Sequence, residues 1–288
     1  MNKAILYKKE DKNLRCLACS HRCLISNGKT GLCGVRKNKD NKLYLLTYGK
    51  IIAEHIDPIE KKPLYHFLKD TKTYSIAGAG CNFKCSWCQN FEISQNNDLI
   101  GEKRTAKQIV EEALKSNCKS VSYTYTEPTI WAEFVYNVSK LAKEKGLKNI
   151  WVTNGYFSKE CLSFFTKEKL IDAMNIDLKS FKNETYEKYC KAKLFPVIES
   201  IKRVVKEKIH LEITTLIIPK INDSEKELEN IAEFIFSLDN KGEIPWHISR
   251  FFPMYKMFDK SVTSLSILKK AEEIGKQKGL KYVYIGNV

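Results

Sequence analysis

Three cysteines near residue 80 are spaced closely enough to bind one metal centre together. Cys81, Cys85 and Cys88 have the spacing C-x3-C-x2-C and follow a short apolar stretch at 73–76. A cubane [4Fe–4S] cluster that only transfers electrons takes four cysteine thiolates, and this stretch supplies three. The fourth iron would lack a protein ligand, just as a catalytic zinc keeps one open position. The spacing therefore predicts a cluster with one iron that can bind a small molecule.

The residues around these cysteines fit a bulky ligand. Gly80 directly precedes Cys81, and glycine allows the backbone to approach a ligand closely. The aromatic Trp87 is expected to lie over one side of the site. C-x2-C pairs also occur in zinc sites, and many cysteines are buried for packing alone. Because no cysteine follows Cys88 before Cys118, a zinc site would lack a nearby fourth ligand, and we prefer the iron–sulfur interpretation.

A second group of cysteines occurs near the start of the chain. Cys16, Cys19, Cys23 and Cys33 lie within eighteen residues, with glycines between them. A segment this short gains little stability from a hydrophobic core, and a bound metal would cross-link it. Structural zinc is our first interpretation, a second iron–sulfur cluster the second, and a disulfide pair or simple packing the third. The sequence leaves zinc and iron–sulfur open because both use four thiolates.

From residue 71 onward, short apolar stretches alternate with amphipathic ones. The predicted strands are 73–76, 120–123, 149–152, 173–176, 210–217, 246–249 and 281–285, and the predicted helices include 107–116, 130–145, 160–169, 224–238 and 264–278. Repeated strand–helix units predict an α/β fold with a parallel sheet covered by helices. Both a partial barrel and a doubly wound open sheet fit this pattern. We therefore predict a Cys-rich metal-binding module at 1–70 and an α/β domain at 71–288.

Polar residues follow three neighbouring strands of the predicted sheet. These are Thr126 and Glu127, then Thr153 and Asn154, then Asp177 and Lys179. The carboxyl ends of parallel strands meet at one edge of a sheet, where sites form. Asp177 and Lys179 alternate with apolar residues, so they should share one face of their strand. A carboxylate and an ammonium at such an edge can bind a zwitterion.

The cysteine spacing, with an aromatic residue before the last cysteine, resembles the signature of the radical SAM superfamily. The strand-end motifs are similar to those of the pyruvate formate-lyase activating enzymes. The stretch Asp-Pro-Ile-Glu-Lys-Lys-Pro-Leu at 57–64 and the endings at 245–251 and 282–288 are similar to the radical SAM enzymes of the AmmeMemoRadiSam system. The resemblance covers nearly the whole chain. It implies a partial (β/α)6 TIM-type barrel with a small N-terminal Cys-rich module.

The resemblance also implies a site and its cofactors. Cys81, Cys85 and Cys88 would hold the [4Fe–4S] cluster, whose open iron binds the amino and carboxylate groups of S-adenosylmethionine (SAM). One electron from the cluster cleaves SAM to a 5′-deoxyadenosyl radical, which abstracts hydrogen from a substrate. The backbone around Thr126 and the side chains of Glu127, Asp177 and Lys179 would lie near the methionyl part of SAM. Thr153 and Asn154 would lie at the next strand end. The implied partners are SAM, an electron donor such as a ferredoxin or flavodoxin, and a protein or small-molecule substrate.

Two positions depart from the pattern of the activating enzymes. Tyr125 and Thr126 stand where those enzymes have paired glycines, which puts a close backbone approach to SAM in doubt. Val152 stands where they have an aspartate. The monovalent-cation site to which that aspartate contributes is therefore not expected in this chain.

The composition limits the class of protein. The net charge is +15, but only six of the 49 basic residues are arginines, and arginine is the residue best suited to phosphates and bases. RNA is therefore not expected as a partner, although the first 70 residues carry 15 basic and 7 acidic residues. No apolar run is long enough to span a membrane, and residues 1–10 do not resemble a signal peptide. We expect a cytoplasmic protein.

Two hypotheses about function follow. The first is a radical SAM enzyme that abstracts hydrogen from a protein, as in glycyl-radical activation, or from a small molecule. The second is a metal-stabilised RNA- or protein-binding module without catalysis, suggested by the four N-terminal cysteines and the basic charge around them.

Overall fold

The computed structural model describes residues 2–95 and 99–288, and its central feature is an eight-stranded sheet. The strands of the chain are β1 Asn2–Lys3, β2 Tyr7–Glu10, β3 Asn13–Cys16, β4 Leu24–Ile25, β5 Arg36–Lys39, β6 Lys42–Leu45, β7 Lys50–Ile51, β8 Ala53–Pro58, β9 Lys72–Ala77, β10 Glu102–Lys103, β11 Ser120–Tyr123, β12 Lys148–Thr153, β13 Ala173–Asp177, β14 His210–Ile217, β15 Trp246–Arg250 and β16 Val283–Gly286. All seven strands predicted from residue 71 onward are present, with small shifts at their ends.

The strand order identifies a partial barrel. The sheet runs β8-β9-β11-β12-β13-β14-β15-β16, and every pair from β9 to β16 is parallel. In a doubly wound sheet the chain would return and continue on the other side of its first strand, and here it never does. The sequential order therefore excludes the doubly wound alternative and confirms the partial barrel. Within the described residues β8 and β16 form the two edges and do not pair with each other.

Helices cover the outer face of this sheet. Their bounds are α1 Phe91–Ser94, α2 Ala106–Lys115, α3 Ala132–Glu144, α4 Lys159–Thr166, α5 Asn183–Thr185, α6 Leu194–Lys206, α7 Glu225–Ser237 and α8 Leu265–Gln277, and a π turn, Tyr186–Cys190, follows α5. Helix α2 begins with a capping box between Thr105 and Gln108, and α4 and α8 begin with serine caps at Ser158 and Ser264. Such caps satisfy backbone amides that the first helical turn leaves unpaired.

The strands under these helices are buried on both faces. All four residues of β11 are buried, as are the aromatic side chains of Tyr123, Trp151 and Trp246. A parallel sheet that packs against helices outside and side chains inside needs such continuous burial. The core therefore fixes the positions of the strand ends, and with them the polar residues that follow.

The N-terminal region consists of short antiparallel sheets. One contains β1, β6 and β5, and the other contains β2, β3 and β4. The strand β8 pairs antiparallel with β9 and therefore belongs to the central sheet, although it precedes the predicted boundary at residue 70. That boundary stays a prediction.

A buried ion pair connects the N-terminal region to the barrel. The Arg36 guanidinium in β5 binds the Glu133 carboxylate in α3, at 2.6 and 3.1 Å, and the two side chains are 1% and 4% exposed. The same carboxylate accepts the backbone N–H of Ile5 at 2.9 Å. Burial alone would raise the pKa of Glu133, but the charge and hydrogen bonds of Arg36 lower it. Glu133 is therefore an ionised partner of Arg36.

The lengths of the helices and the state of the cysteines bear on two further points, a membrane span and a disulfide. The longest described helices have 13 residues, and none of the described residues forms a helix suited to crossing a membrane. All ten cysteines are free thiols, so the structure contains no disulfide among the four N-terminal ones.

Candidate active site

A cavity of about 710 Å3 lies at the carboxyl ends of the parallel strands. Ten of the eleven residues predicted for catalysis or cofactor binding line it, namely Cys81, Cys85, Trp87, Cys88, Thr126, Glu127, Thr153, Asn154, Asp177 and Lys179. They come from four strand ends that are distant in sequence. The barrel brings them together because all its parallel strands end on the same side.

The three cysteines of the C-x3-C-x2-C motif lie on a loop that follows β9. The Cys81 sulfur accepts a hydrogen bond from the Phe83 amide at 3.4 Å, and the Cys88 sulfur lies 3.1 Å from the Ser94 hydroxyl. The amide of Lys84 donates to the carbonyl of Cys190 at 2.9 Å, in the π turn after α5. The loop is thus held from both sides, with its sulfurs at the cavity.

The thiols differ in how readily they ionise. Burial raises the pKa of Cys81 and of Cys88. A hydrogen bond from the buried Cys190 thiol lowers the pKa of Cys85, although burial opposes this. Cys190 stands apart from both cysteine clusters in the sequence. Only the folded chain brings it next to Cys85. A metal centre at this loop would supply the charge that the other two thiolates need.

Gly80 is the predicted residue that does not line the cavity. It has a φ of +94°, and a Cβ at this position would lie 2.8 Å from the carbonyl oxygen of Cys33 and 2.9 Å from Val35. The close approach that glycine permits here is therefore to the N-terminal region, rather than to a ligand in the cavity.

Glu127 organises the neighbouring strand ends. Its carboxylate is buried and accepts the Thr153 hydroxyl at 2.8 and 3.0 Å, the Asn154 amide at 2.9 Å and the Thr129 amide at 3.1 Å. Burial raises the pKa of Glu127, while these hydrogen bonds act in the opposite direction. Because its acceptor sites are occupied, Glu127 orients the loops after β11 and β12 and has little free capacity for a ligand.

Asn154 and Thr126 also make contacts that shape the loops. The Asn154 side-chain amide donates to the Asn82 side-chain oxygen at 2.8 Å and lies 3.9 Å from the Cys81 sulfur. The Thr126 hydroxyl donates to the carbonyl of Gly78 at 2.7 Å. Thr126 therefore fixes the cysteine loop to the end of β11, and Asn154 fixes it to the end of β12.

Asp177 and Lys179 form an ion pair inside the cavity. The Lys179 ammonium lies 2.9 Å from the Asp177 carboxylate, and the side chains are 13% and 34% exposed. Burial disfavours the charge on Lys179, but Asp177 and nearby thiols raise its pKa well above the usual value. Both side chains point to one face, as alternation along the strand predicts. Each retains sites for another charged partner.

A polar network that the sequence did not predict also borders the cavity, through Lys62 and Tyr125. Lys62 is 2% exposed and binds the Asp57 carboxylate at 2.6 Å, and the Tyr125 hydroxyl also donates to Asp57. Tyr125 adopts the left-handed backbone conformation, with φ of +63°. This is a conformation that favours glycine, and the activating enzymes were noted above to have glycine there. Here the tyrosine is held in place by its hydroxyl contacts.

A second buried carboxylate, Glu212 in β14, positions residues at the cavity. It binds His247 at 2.6 Å and His210 at 3.0 Å, and it accepts the amides of Tyr65 and His66 at 3.0 and 2.8 Å. His247 and Ser249 line the cavity. Ile248 between them also lines the cavity, whereas Arg250 does not and donates to the carbonyl of Thr263.

Replacement of Glu212 by glutamine is expected to destabilise the protein by about 3 kcal/mol at pH 7. Burial alone would raise the pKa of Glu212, but its two histidines and two backbone amides lower it from 4.5 to about 2. This stabilisation is present above the unfolded pKa near 4.5 and is lost as the pH falls toward 2. Urea unfolding of iron-free wild type and variant at pH 7 and pH 3 measures the difference.

The exposed Glu184 provides the control for this measurement. Its replacement by glutamine should leave the free energy of unfolding within about 0.5 kcal/mol at both pH values. A difference between wild type and Glu212→Gln that stays constant from pH 7 to pH 3 would contradict the interpretation.

The four N-terminal cysteines surround a separate small void. Cys16, Cys19, Cys23 and Cys33 line it together with Asn82, the residue after Cys81. His21, which lies between Cys19 and Cys23 in the sequence, contacts the carbonyl of Asn82 through its ring nitrogen Nε2 at 2.8 Å. The void therefore borders the cysteine loop at Asn82.

Comparison with known proteins identifies the family. The model of the Radical SAM superfamily matches residues 75–235, which include the cysteine loop and most strand ends that form the cavity. The chain belongs to the radical SAM superfamily. It is therefore an enzyme with SAM-dependent radical chemistry, and the alternative of a binding module without catalysis is wrong.

Relatives of this radical SAM enzyme include proteins of both known and unknown activity. An uncharacterized protein of Methanocaldococcus jannaschii is 45% identical over the whole chain and 86% of its own length. A putative glycyl-radical enzyme activating enzyme of the same organism is 28% identical over 73% of the chain and 84% of its own length. A domain of the pyruvate-formate lyase-activating enzyme from Bacteroides vulgatus has a TM-score of 0.50, with 23% identity over 58% of this chain and 99% of the domain. The similarity of fold to this domain agrees with the partial barrel seen here.

The residues at the large cavity fit the cofactors of this superfamily. Three thiols line the cavity, and none of the other cysteines in the described residues does so. Three thiolates leave one iron of a cubane cluster open, and the Asp177–Lys179 pair lies on the same cavity. The donor set therefore suits a cluster and a zwitterionic ligand together.

Proposed function

We propose that the chain binds a [4Fe–4S] cluster through Cys81, Cys85 and Cys88 and abstracts hydrogen from a protein or small-molecule substrate. The observation that carries this proposal is the single cavity that three thiols share with an ion pair suited to a zwitterion. When bound, a reduced cluster supplies the electron that cleaves SAM to a 5′-deoxyadenosyl radical, which removes the hydrogen atom.

The chain's own residues bind and orient the reactants in this proposal. The Asp177 carboxylate pairs with the amino group of SAM, and the Lys179 ammonium pairs with its carboxylate. Glu127 acts through Thr153 and Asn154 as a positioning residue, because its carboxylate is occupied by their hydrogen bonds. The buried aromatic side chain of Trp87 closes one wall and limits access of water to the site.

Substrate binding is assigned to the part of the cavity that lies toward β15. His247 and Ser249 line that part, and Glu212 fixes the orientation of the His247 ring. A glycyl-radical enzyme is the protein substrate suggested by the similarity to a putative activating enzyme. We propose a ferredoxin or flavodoxin as the electron donor and retain the division into residues 1–70 and 71–288. The AmmeMemoRadiSam assignment also stays a proposal.

Anaerobic incubation of the iron-reconstituted protein with SAM and dithionite tests the function. The expected products are 5′-deoxyadenosine and methionine in equal amounts, from a brown protein. Absence of both products from a protein that carries its full complement of iron would overturn the proposal.

Replacement of Lys179 by methionine is expected to raise the KM for SAM about 10- to 100-fold. The change removes one charge-assisted contact to the ligand and leaves Asp177 without its partner. Steady-state formation of 5′-deoxyadenosine at varied SAM concentration measures the effect. Lys193→Met is the matched control, since Lys193 is exposed and lies outside the cavity lining. Equal KM values for the two variants would contradict the assignment.

A further inference from the structure

The four N-terminal cysteines form a cluster of thiols that the proposed function does not use. Cys16 and Cys19 are buried, and Cys23 and Cys33 are partly buried. All four line one void, whose other walls include Ile25 and Ile130. Four thiols from three short segments do not meet in this way for hydrophobic packing alone, because the region has other apolar residues to form its core.

The arrangement of the four sulfurs distinguishes between the possible metals. A zinc ion with four thiolates has Zn–S distances of about 2.3 Å, so its sulfurs must lie about 3.8 Å apart around one point. In residues 2–95 and 99–288, no three His, Cys, Asp or Glu side chains converge in a way that could hold one metal ion. The N-terminal sulfurs instead surround a void.

The cysteine loop of the large cavity gives an internal comparison. Cys81, Cys85 and Cys88 likewise do not converge on one point, although their superfamily uses such a motif for a cubane cluster. In a cubane each thiolate binds a different iron, so the sulfurs stand farther apart than around a single ion. The N-terminal cysteines likewise line a void without converging on one point, as a cubane requires.

Asn82, one of the residues that line the void, carries an unsatisfied hydrogen-bond donor. The side-chain nitrogen of Asn82 is buried and has no hydrogen-bond partner in the structure, although its oxygen accepts from Asn154. A buried donor without a partner is unfavourable by about 1–3 kcal/mol. The sulfurs of an iron–sulfur cluster are acceptors that proteins commonly satisfy with such N–H groups.

We propose that Cys16, Cys19, Cys23 and Cys33 bind a second [4Fe–4S] cluster, rather than the structural zinc that the sequence first suggested. All four irons have a thiolate, so this cluster has no open iron and does not bind SAM. It lies across the Gly80–Asn82 segment from the catalytic cavity, where Cys33 and His21 contact the cysteine loop. This inference does not depend on the activity proposed above.

The decisive variant is Cys81→Ala/Cys85→Ala/Cys88→Ala, which retains the N-terminal cysteines unchanged. The protein is reconstituted anaerobically with iron, sulfide and equimolar zinc, and metals and sulfide are then counted. We expect about four irons and four sulfides per chain, no stoichiometric zinc, and an EPR signal after reduction that SAM does not change. In the wild type the expected iron content is about eight.

Two further variants serve as controls for this measurement of metal content. Cys19→Ala/Cys33→Ala should contain about four irons, all at the catalytic loop, and its signal should respond to SAM. A variant with all seven cysteines changed to alanine reports adventitious iron. The proposal is overturned if the triple variant binds one zinc or no metal, if SAM alters its signal, or if the seven-cysteine variant binds equal iron. Failure of the wild type to cleave SAM leaves this count unaffected.

Discussion

Replacement of Cys85 by alanine is expected to reduce SAM cleavage at least about 1,000-fold. Loss of a residue that only hydrogen-bonds to a metal ligand typically reduces metal affinity or activity about 10- to 100-fold. Cys85 is proposed as a ligand itself, so its loss should have a larger effect. It is also the thiol whose pKa is lowered by Cys190, so the chain already favours its thiolate. Formation of 5′-deoxyadenosine and the iron content of the reconstituted variant measure the effect.

The matched control for this prediction is Cys118→Ala. Cys118 is also a buried thiol, but it lines neither the catalytic cavity nor the N-terminal void. Its replacement should leave the rate of SAM cleavage within about twofold of the wild type, because no residue that contacts the cluster or SAM is changed. A Cys85→Ala protein that retains a tenth or more of the wild-type activity would exclude Cys85 as a ligand.

The largest loss of stability is expected for Arg36→Met, at about 3–5 kcal/mol. This substitution removes one partner of a buried ion pair and leaves the Glu133 carboxylate in the protein interior without its counter-charge. Two bonds to Glu133 and one from the Arg36 side chain to the carbonyl of Ile130, at 2.9 Å, are lost together. Urea unfolding at pH 7, with the free energy extrapolated to water, measures the loss.

A double variant distinguishes the cost of the unpaired charge from the cost of the lost packing. In Arg36→Met/Glu133→Gln the glutamine stays polar and can still accept the amide of Ile5, which contacts Glu133 in the native chain. We expect the double variant to recover at least about 1–2 kcal/mol relative to Arg36→Met, because no unpaired charge is then buried. A double variant less stable than Arg36→Met would show that the charge is not the source of the loss.

Much of the barrel could be predicted from the sequence because its strands are buried and apolar. The last strand and the polar strand ends were predicted within about two residues of their positions in the structure, since alternation of strand and helix is a local pattern. The order of the strands in the sheet cannot be predicted from such local patterns. Only the structure distinguishes a barrel from a doubly wound sheet. Strand β8 was not predicted, because Pro58 at its end and Pro63 soon after it are typical of a connection between elements.

Helix α6 was also missing from the predicted set. It begins at Leu194 without a side-chain cap, and Pro196 lies in its first turn, where proline is tolerated. These features weaken the usual start signal of a helix. Its buried face, which includes Val197, Ile201 and Val204, provides the stability instead, and tertiary packing therefore decides that this segment is helical.

The site could be predicted where it consists of motifs, but not where it consists of contacts between distant residues. The three cysteines and the Asp177–Lys179 pair stand within short sequence patterns. Cys190, which lies against Cys85, and Glu212, which orients His247, have no such signature. Cys85 and Cys190 are more than a hundred residues apart, and His247 is 35 residues from Glu212, so only the folding of the barrel brings each pair together.

The most direct test of the central claim is a measurement of contact between SAM and the open iron. The wild-type protein is reduced anaerobically, SAM labelled with 15N at its amino group is added, and the hyperfine coupling between the nitrogen and the cluster is recorded by pulsed EPR. We expect a coupling in the wild type and none in Cys81→Ala/Cys85→Ala/Cys88→Ala. A reduced wild-type cluster that shows no coupling at saturating SAM would contradict the account.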